Sequence, residues 1–221
     1  GSTGLPKGAV YPHEKFLRAI FYTAMNEGLT HDSVWLQAMP AAGVPMMHML
    51  RNIFLAATCV ILGPWNPERA LSMIDMHRVT NCVLVPTMLA ALLRVPNFEK
   101  YDVSSLKLLG YGAAPLPPAT IREALQKLPC PFLQMYGTTE LLGMTNMLYP
   151  SDHELGLSTR PELLSSVGRP LSWVDVRIVD EENIDLPDGE IGEVVVRSDL
   201  VFSGYWRALE KSQEMFFGDW F

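Results

Sequence analysis

Leu106-Lys107-Leu108-Leu109-Gly110-Tyr111-Gly112-Ala113-Ala114-Pro115-Leu116 and, further on, Phe132-Leu133-Gln134-Met135-Tyr136-Gly137-Thr138-Thr139-Glu140 decide how this chain folds. Leu106 to Leu109 is a short apolar run of strand composition, and Phe132 to Tyr136 is a second. Between them Pro117 and Pro118 open a helix running to about Leu128, because the fixed φ of proline suits a first helical turn and no later one. Strand, helix, strand predicts a crossover unit, and short apolar strands buried on both faces belong to a parallel sheet covered by helices.

The same alternation extends upstream. Residues 15–27 read as helix, Thr58 to Leu62 as strand, Pro67 to Arg78 as helix, Asn81 to Val85 as buried strand and Thr87 to Arg94 as helix. The apolar stretch from Met46 to Leu62 contains Arg51 and Asn52 and ends at Gly63-Pro64. It therefore reads as a buried helix followed by a strand, not as a membrane span. After about residue 160 the pattern changes. Val174 to Val179 and Glu193 to Arg197 alternate apolar and polar residues around the turn signal Leu186-Pro187-Asp188-Gly189. The predicted fold is α/β: a mostly parallel sheet with flanking helices over residues 1–160, then a small antiparallel sheet or barrel over residues 161–221.

Composition narrows the function. With 48% hydrophobic residues among 221, the chain can bury a sizeable core. A net charge of −7 and the lack of any basic run exclude a nucleic-acid partner, which needs a cationic face. Cys59, Cys82 and Cys130 sit among apolar residues without paired spacing, which points away from disulfides or zinc and toward a reducing, cytoplasmic compartment.

Three segments could carry chemistry. Gly1-Ser2-Thr3-Gly4-Leu5-Pro6-Lys7-Gly8 combines glycines that let backbone N–H groups approach an anion, hydroxyl donors, and one lysine. It is a phosphate-loop composition but not a Walker A loop, and a flexible terminus would read the same way. Gly110 to Leu116 leaves small residues at the carboxyl end of a strand, where α/β sheets bind ligands; a tight turn is the plainer reading. Tyr136 to Glu140 offers a ring that can stack on adenine and a carboxylate beside hydroxyls suited to Mg2+. Thr138 or Thr139 could equally cap a helix, with Glu140 in its first turn.

Taken in order, these segments resemble the adenylate-forming superfamily of acyl-CoA synthetases, luciferases and nonribosomal adenylation domains. Gly1 to Gly8 resembles the family's phosphate loop. Gly112 to Leu116 resembles its GGAPL-type adenine segment, with Ala113 at a usual glycine, and Tyr136 to Glu140 matches its YGxTE motif. Glu193 to Arg197 followed by Ser203-Gly204-Tyr205-Trp206 resembles the GExxVRG…GYW segment, with Ser198 at a usual glycine. The resemblance implies an AMP-forming acid–thiol ligase, in which a carboxylate attacks ATP to give an acyl-adenylate and a thiol, usually coenzyme A, displaces AMP. By the same resemblance Gly1, Ser2, Thr3, Gly4, Lys7 and Gly8 would hold the phosphates. Gly112, Ala113, Ala114, Pro115, Met135, Tyr136, Gly137 and Thr138 would surround the nucleotide, and Thr139 and Glu140 would place Mg2+.

By the same resemblance, Trp35 to His48 occupies the region where many relatives carry a proline, an aromatic and a histidine lining the acid pocket. Here the usual aromatic–histidine pair is replaced by Ala41-Ala42-Gly43, and His48 is either a displaced equivalent or a core residue. Small residues and Met46 and Met47 favour a fatty or aromatic acid over an amino acid, whose ammonium would want a buried carboxylate. The resemblance also implies a ribose-binding aspartate and a mobile domain with a catalytic lysine beyond Phe221, and Asp219 does not fill the first role. The 221 residues are therefore expected to make no acyl-adenylate by themselves. Two alternatives stand beside the acid–CoA ligase: a non-catalytic nucleotide-binding or scaffold remnant, and part of a nonribosomal-type adenylation domain.

Overall fold

A computed structural model describes residues 7–221. The chain forms two compact units. The larger comprises Ile20–Tyr136 and Asn146–Arg169; the smaller comprises the described part of Gly1–Ala19 with Gly137–Thr145 and Pro170–Phe221.

The seven-stranded sheet uses β1 (Val34–Gln37), β2 (Thr58–Ile61), β3 (Asn81–Leu84), β4 (Leu108–Gly112), β5 (Phe132–Tyr136), β6 (Asn146–Leu148) and β7 (Arg169–Pro170), ordered β2-β1-β3-β4-β5-β6-β7. Strands β1 to β5 are parallel and β6 runs antiparallel to β5. Helices α1 (His13–Asn26), α2 (Val44–Phe54), α3 (Pro67–His77), α4 (Pro86–Leu93), α5 (Pro118–Lys127) and α6 (Pro150–Ser158) precede, connect or follow them. Local chemistry sets several boundaries. Asn66 accepts from the Arg69 amide at 2.8 Å, Pro67 follows it, and α3 stops at Arg78, which takes φ 52°. Helices α4 and α5 likewise open on proline.

One face of the sheet, with Leu36, Cys82, Leu84, Leu109, Tyr111 and Phe132, packs against Leu71 and Ile74 of α3, Leu89 and Leu92 of α4 and Ile121 of α5. The opposite face presents Trp35 of β1 to Arg51 and His48 of α2. The Arg51 guanidinium lies 4.6 Å from the Trp35 ring and pairs with Glu27.

The predicted α/β class holds: a mostly parallel sheet flanked by helices, plus a small antiparallel pair. Local details differ from the sequence reading. The strand expected at Leu106–Leu109 runs from Leu108 to Gly112, because Gly110 and Gly112 sit inside it for close packing and not in a turn. Strand β1, strand β6 and helix α6 carry no sequence signal strong enough to be read: the two strands are short and α6 is polar. The apolar stretch from Met46 does form helix and strand, but α2 is buried on one side only, with Met46, Ile53 and Phe54 exposed. Among the described residues no helix is long and apolar enough to cross a membrane.

In the smaller unit β8 (Asp175–Val179) and β9 (Glu193–Arg197) pair antiparallel, with Val176 opposite Val196. Phe221 extends the sheet by exchanging two backbone hydrogen bonds with Val196, at 2.7 and 2.9 Å. The expected turn is present: the Glu190 amide donates to the Pro187 carbonyl at 3.2 Å and Gly189 takes φ 95°. Helix α7 (Leu209–Gln213) follows.

Candidate functional site

In the larger unit, β4 and β5 lie side by side and end together. Gly112 is the register partner of Met135, and a Cβ at Gly112 would strike the Met135 carbonyl. Glycine is needed here for close approach of two strands. Ala113, immediately after, takes φ 68°, the left-handed region that glycine enters without steric cost. Ala113, Ala114 and Pro115 are exposed, and so is Tyr136 at the carboxyl end of β5, while Met135 is buried. Flat backbone and one aromatic ring thus face solvent at the carboxyl edge of a parallel sheet. Fixed polar and aromatic surface at that edge suits a planar ligand.

From the next residue, Gly137, to Thr145 the chain belongs to the smaller unit. Gly137 lies against the Gly143 backbone, too close for any Cβ, and the Gly143 amide closes the loop on the Thr138 carbonyl at 2.8 Å. Thr139–Leu141 is a single 3-10 turn. The capping role read for Thr138 is not realised: the turn has no side-chain cap, and the Thr138 hydroxyl interacts with the Glu140 carboxylate.

Glu140 sits amid donors. The Tyr205 hydroxyl donates to its Oε1 at 2.6 Å, and Lys7 Nζ lies 4.5 Å from the centre of the same tyrosine ring. Burial pushes the Glu140 carboxyl up, but hydrogen bonds from Tyr205, its own amide and Thr138, with the Lys7 charge, outweigh this and hold it below the usual range. Tyr205 is pushed up to about 12, by burial and then by Glu140. At neutral pH the carboxylate is anionic and the phenol protonated, as the hydrogen bond requires. The Tyr11 hydroxyl donates to the Thr139 carbonyl.

The segment after Lys7 is held by the chain near Tyr205. Ser203 N donates to Val10 O at 2.8 Å, Val10 N to Gly204 O at 3.0 Å and Trp206 N to Gly8 O at 2.7 Å. Of the residues expected from sequence, the structure therefore groups Lys7, Thr138, Thr139 and Glu140 in one unit, and Gly112 to Pro115 with Met135 and Tyr136 in the other. Gly1, Ser2, Thr3 and Gly4 lie outside the described residues. Tyr205 and Tyr11 had been given no role. The first stood in a motif already noted, and the second had no signal.

His48 is buried. Neither ring nitrogen has a hydrogen-bond partner among the described residues, and burial followed by the Arg51 charge holds its pKa well below the ordinary histidine value. No cluster of three or more His, Cys, Asp or Glu side chains able to hold a metal occurs among the described residues.

Residues 1–206 match the family described as AMP-binding enzyme. Over its full length the chain is 30% identical to a fatty acid–[acyl-carrier-protein] ligase of Streptomyces coeruleorubidus, spanning 43% of that protein. It is 32% identical to a feruloyl-CoA synthase of an Amycolatopsis species, spanning 44% of it. Among solved structures, O-succinylbenzoate coenzyme A synthetase of Bacillus subtilis, in complex with ATP and magnesium ion, superposes on all of this chain with a TM-score of 0.86 at 26% identity. The match covers 44% of that protein. The chain thus spans less than half the length of each of these relatives.

Proposed function

We propose, from the premise that this chain belongs to the AMP-binding enzyme family, that it carries the nucleotide-handling part of an AMP-forming ligase for a fatty or aromatic acid. In this reading the chain contributes binding and charge, and the covalent chemistry lies between ATP, the acid and a thiol such as coenzyme A. The observation that carries it is the anionic, half-buried Glu140 held by Tyr205 and Thr138, four residues along the chain from the exposed ring of Tyr136.

Lys7, with Gly8 and the preceding glycines and hydroxyls, would meet the phosphates. Tyr136 and the exposed backbone of Ala113 to Pro115 would meet adenine. Glu140, with Thr139, would hold Mg2+. The donor set fits that ion: Mg2+ keeps several waters and takes one or two protein carboxylates beside substrate phosphates, so one oriented carboxylate suffices. When bound, Mg2+ neutralises phosphate charge. The chain's own part is to keep Glu140 ionised and aimed, and to keep Lys7 near it without a direct ion pair.

A fatty or aromatic acid is favoured over an amino acid on electrostatic grounds. The buried carboxylates among the described residues, Glu27 and Asp152, are already paired with Arg51 and Arg169, so neither is free to receive a substrate ammonium. The related fatty-acid and feruloyl ligases point the same way. The apolar settings of Cys59, Cys82 and Cys130 fit a reducing, cytoplasmic setting.

Calorimetric titration with ATP and Mg2+ tests the reading. Saturable binding weakened about tenfold by Lys7→Ala is expected, the loss of one charge-assisted contact; a featureless titration would reject it. Acid-dependent ATP–pyrophosphate exchange by the protein that contains this chain then ranks fatty, aromatic and amino acids.

A further inference from the structure

Three contacts meet at or beside the Ser203-Gly204-Tyr205-Trp206 segment. Its backbone forms the ladder that holds Gly8 to Val10, the stretch following Lys7. The Phe202 amide, just before it, donates to the Glu140 carbonyl at 2.8 Å. Between these anchors the Tyr205 side chain points its hydroxyl at Glu140 and offers its ring face to Lys7.

The ring itself has little freedom. Tyr205 is buried, its amide donates to the Ser212 hydroxyl at 2.8 Å, and its ring meets the Phe202 ring edge-on at 4.8 Å. Phe202 in turn stacks on Phe216. Gly204 takes φ 122° with Ser212 beside it, so the backbone entering Tyr205 is fixed as well. A rigid phenol delivering a 2.6 Å hydrogen bond to a carboxylate sets the direction in which the remaining carboxylate lone pairs point.

We propose that Tyr205 is a positioning residue for the metal-binding carboxylate, resting on the assignment of Glu140 and Lys7 made above. Its hydroxyl orients Glu140 toward the cation. Its ring gives the Lys7 ammonium a weak resting place against an aromatic face. Without it, Lys7 and Glu140 attract one another directly, and each would cancel the charge that the other needs to offer to nucleotide and metal. One side chain keeps two opposite charges close, separate and available.

Tyr205→Phe isolates the hydroxyl, because it keeps the ring, its contact with Phe202 and its face toward Lys7. ATP binding is measured by calorimetry in EDTA and again in excess Mg2+, on the protein that contains this chain. The expected result is unchanged affinity in EDTA, within about twofold, and about a tenfold loss of the Mg2+-dependent gain, the size usual when the partner orienting a metal ligand is removed. In a Glu140→Gln background the same change should add nothing, since the carboxylate it orients is gone. Equal losses in EDTA and Mg2+ with a lowered melting temperature would make Tyr205 a packing residue only and overturn the proposal. So would a Tyr205→Phe protein indistinguishable from the parent. A parent protein that binds no ATP in either condition removes the assignment of the site itself, a different failure from either of these.

Discussion

Arg51 and Glu27 form an ion pair shut off from water, with side chains 0% and 2% exposed and the guanidinium lying over Trp35. Burial raises the Glu27 pKa, and the Arg51 charge only partly offsets it. Such a pair costs desolvation of both ions, and its removal one partner at a time is severe. Glu27→Gln should destabilise the protein by about 3–5 kcal/mol in urea unfolding, because a buried guanidinium loses its counter-ion. The joint change Glu27→Leu, Arg51→Met should recover most of that loss. A double variant no more stable than the single one would mean that the pair is held for its packing on Trp35 and not for its charge.

His48 lies one turn before Arg51 on the same helix, and its folded pKa is depressed by burial first and by Arg51 second. The sign follows from linkage. The unfolded imidazole takes up a proton as pH falls through its usual value of about 6.5 and the folded one does not, so stability drops below that pH. The slope reaches at most about 1.4 kcal/mol per pH unit for one such group. His153, also depressed by burial, acts in the same direction, and Glu27, raised by burial, acts in the opposite one. Both remain in a His48→Gln variant. The fall in urea-unfolding stability from pH 7.5 to 5.5 should therefore be smaller in that variant by about 1 kcal/mol, whatever its stability at pH 7.5. Identical slopes would show that His48 is protonated in the fold.

Strand β5 and strand β9 were legible in the sequence to the residue, because each is an apolar or alternating run bounded by turn-formers. The same logic misplaced β4. Glycines at 110 and 112 looked like the start of a turn, whereas the strand continues through them because Val83 and Met135 crowd the space where side chains would stand. Strand β1 went unread because Val34-Trp35-Leu36-Gln37 is only one strand-turn of mixed residues, and its burial comes from α2 and α3 arriving later in the chain. Lys7, Tyr136 and Glu140 could be named as candidates from sequence because their chemistry is carried by residue type. The Tyr205–Glu140 bond was not, since it joins side chains 65 positions apart. Spacing along a chain does not report a contact that tertiary folding makes.

The two strand glycines should respond differently to one added methyl group. At Gly110 a Cβ meets the flexible end of the Met135 side chain, which can shift, and one methyl of Val83. At Gly112 it meets the Met135 backbone carbonyl, which is fixed in the sheet. Gly110→Ala should cost about 1–2 kcal/mol, within the usual range for overpacking, and Gly112→Ala more than about 3 kcal/mol or the folded protein altogether. Melting temperatures of the two variants, compared with their circular dichroism, read the difference. An equal or reversed ranking would contradict the close pairing of β4 with β5.

Ala113 tests the same edge from the other side. It occupies φ 68°, is exposed, and follows a glycine that cannot be enlarged. An L-residue in the left-handed region pays about 1–2 kcal/mol in Cβ–carbonyl repulsion, and glycine avoids it at a cost of about 0.5–1 kcal/mol in unfolded-chain entropy. Ala113→Gly should therefore leave stability unchanged or raise it by up to about 1 kcal/mol, and Ala113→Val should lower it, because a β-branched residue tolerates that region least. Chemical denaturation separates these outcomes. Nucleotide affinity gives a second reading: if adenine rests on this backbone, the glycine variant retains binding while Ala113→Val loses it by more than its stability change explains. A valine variant with parental affinity would detach this edge from the nucleotide and leave Tyr136 without its proposed neighbour.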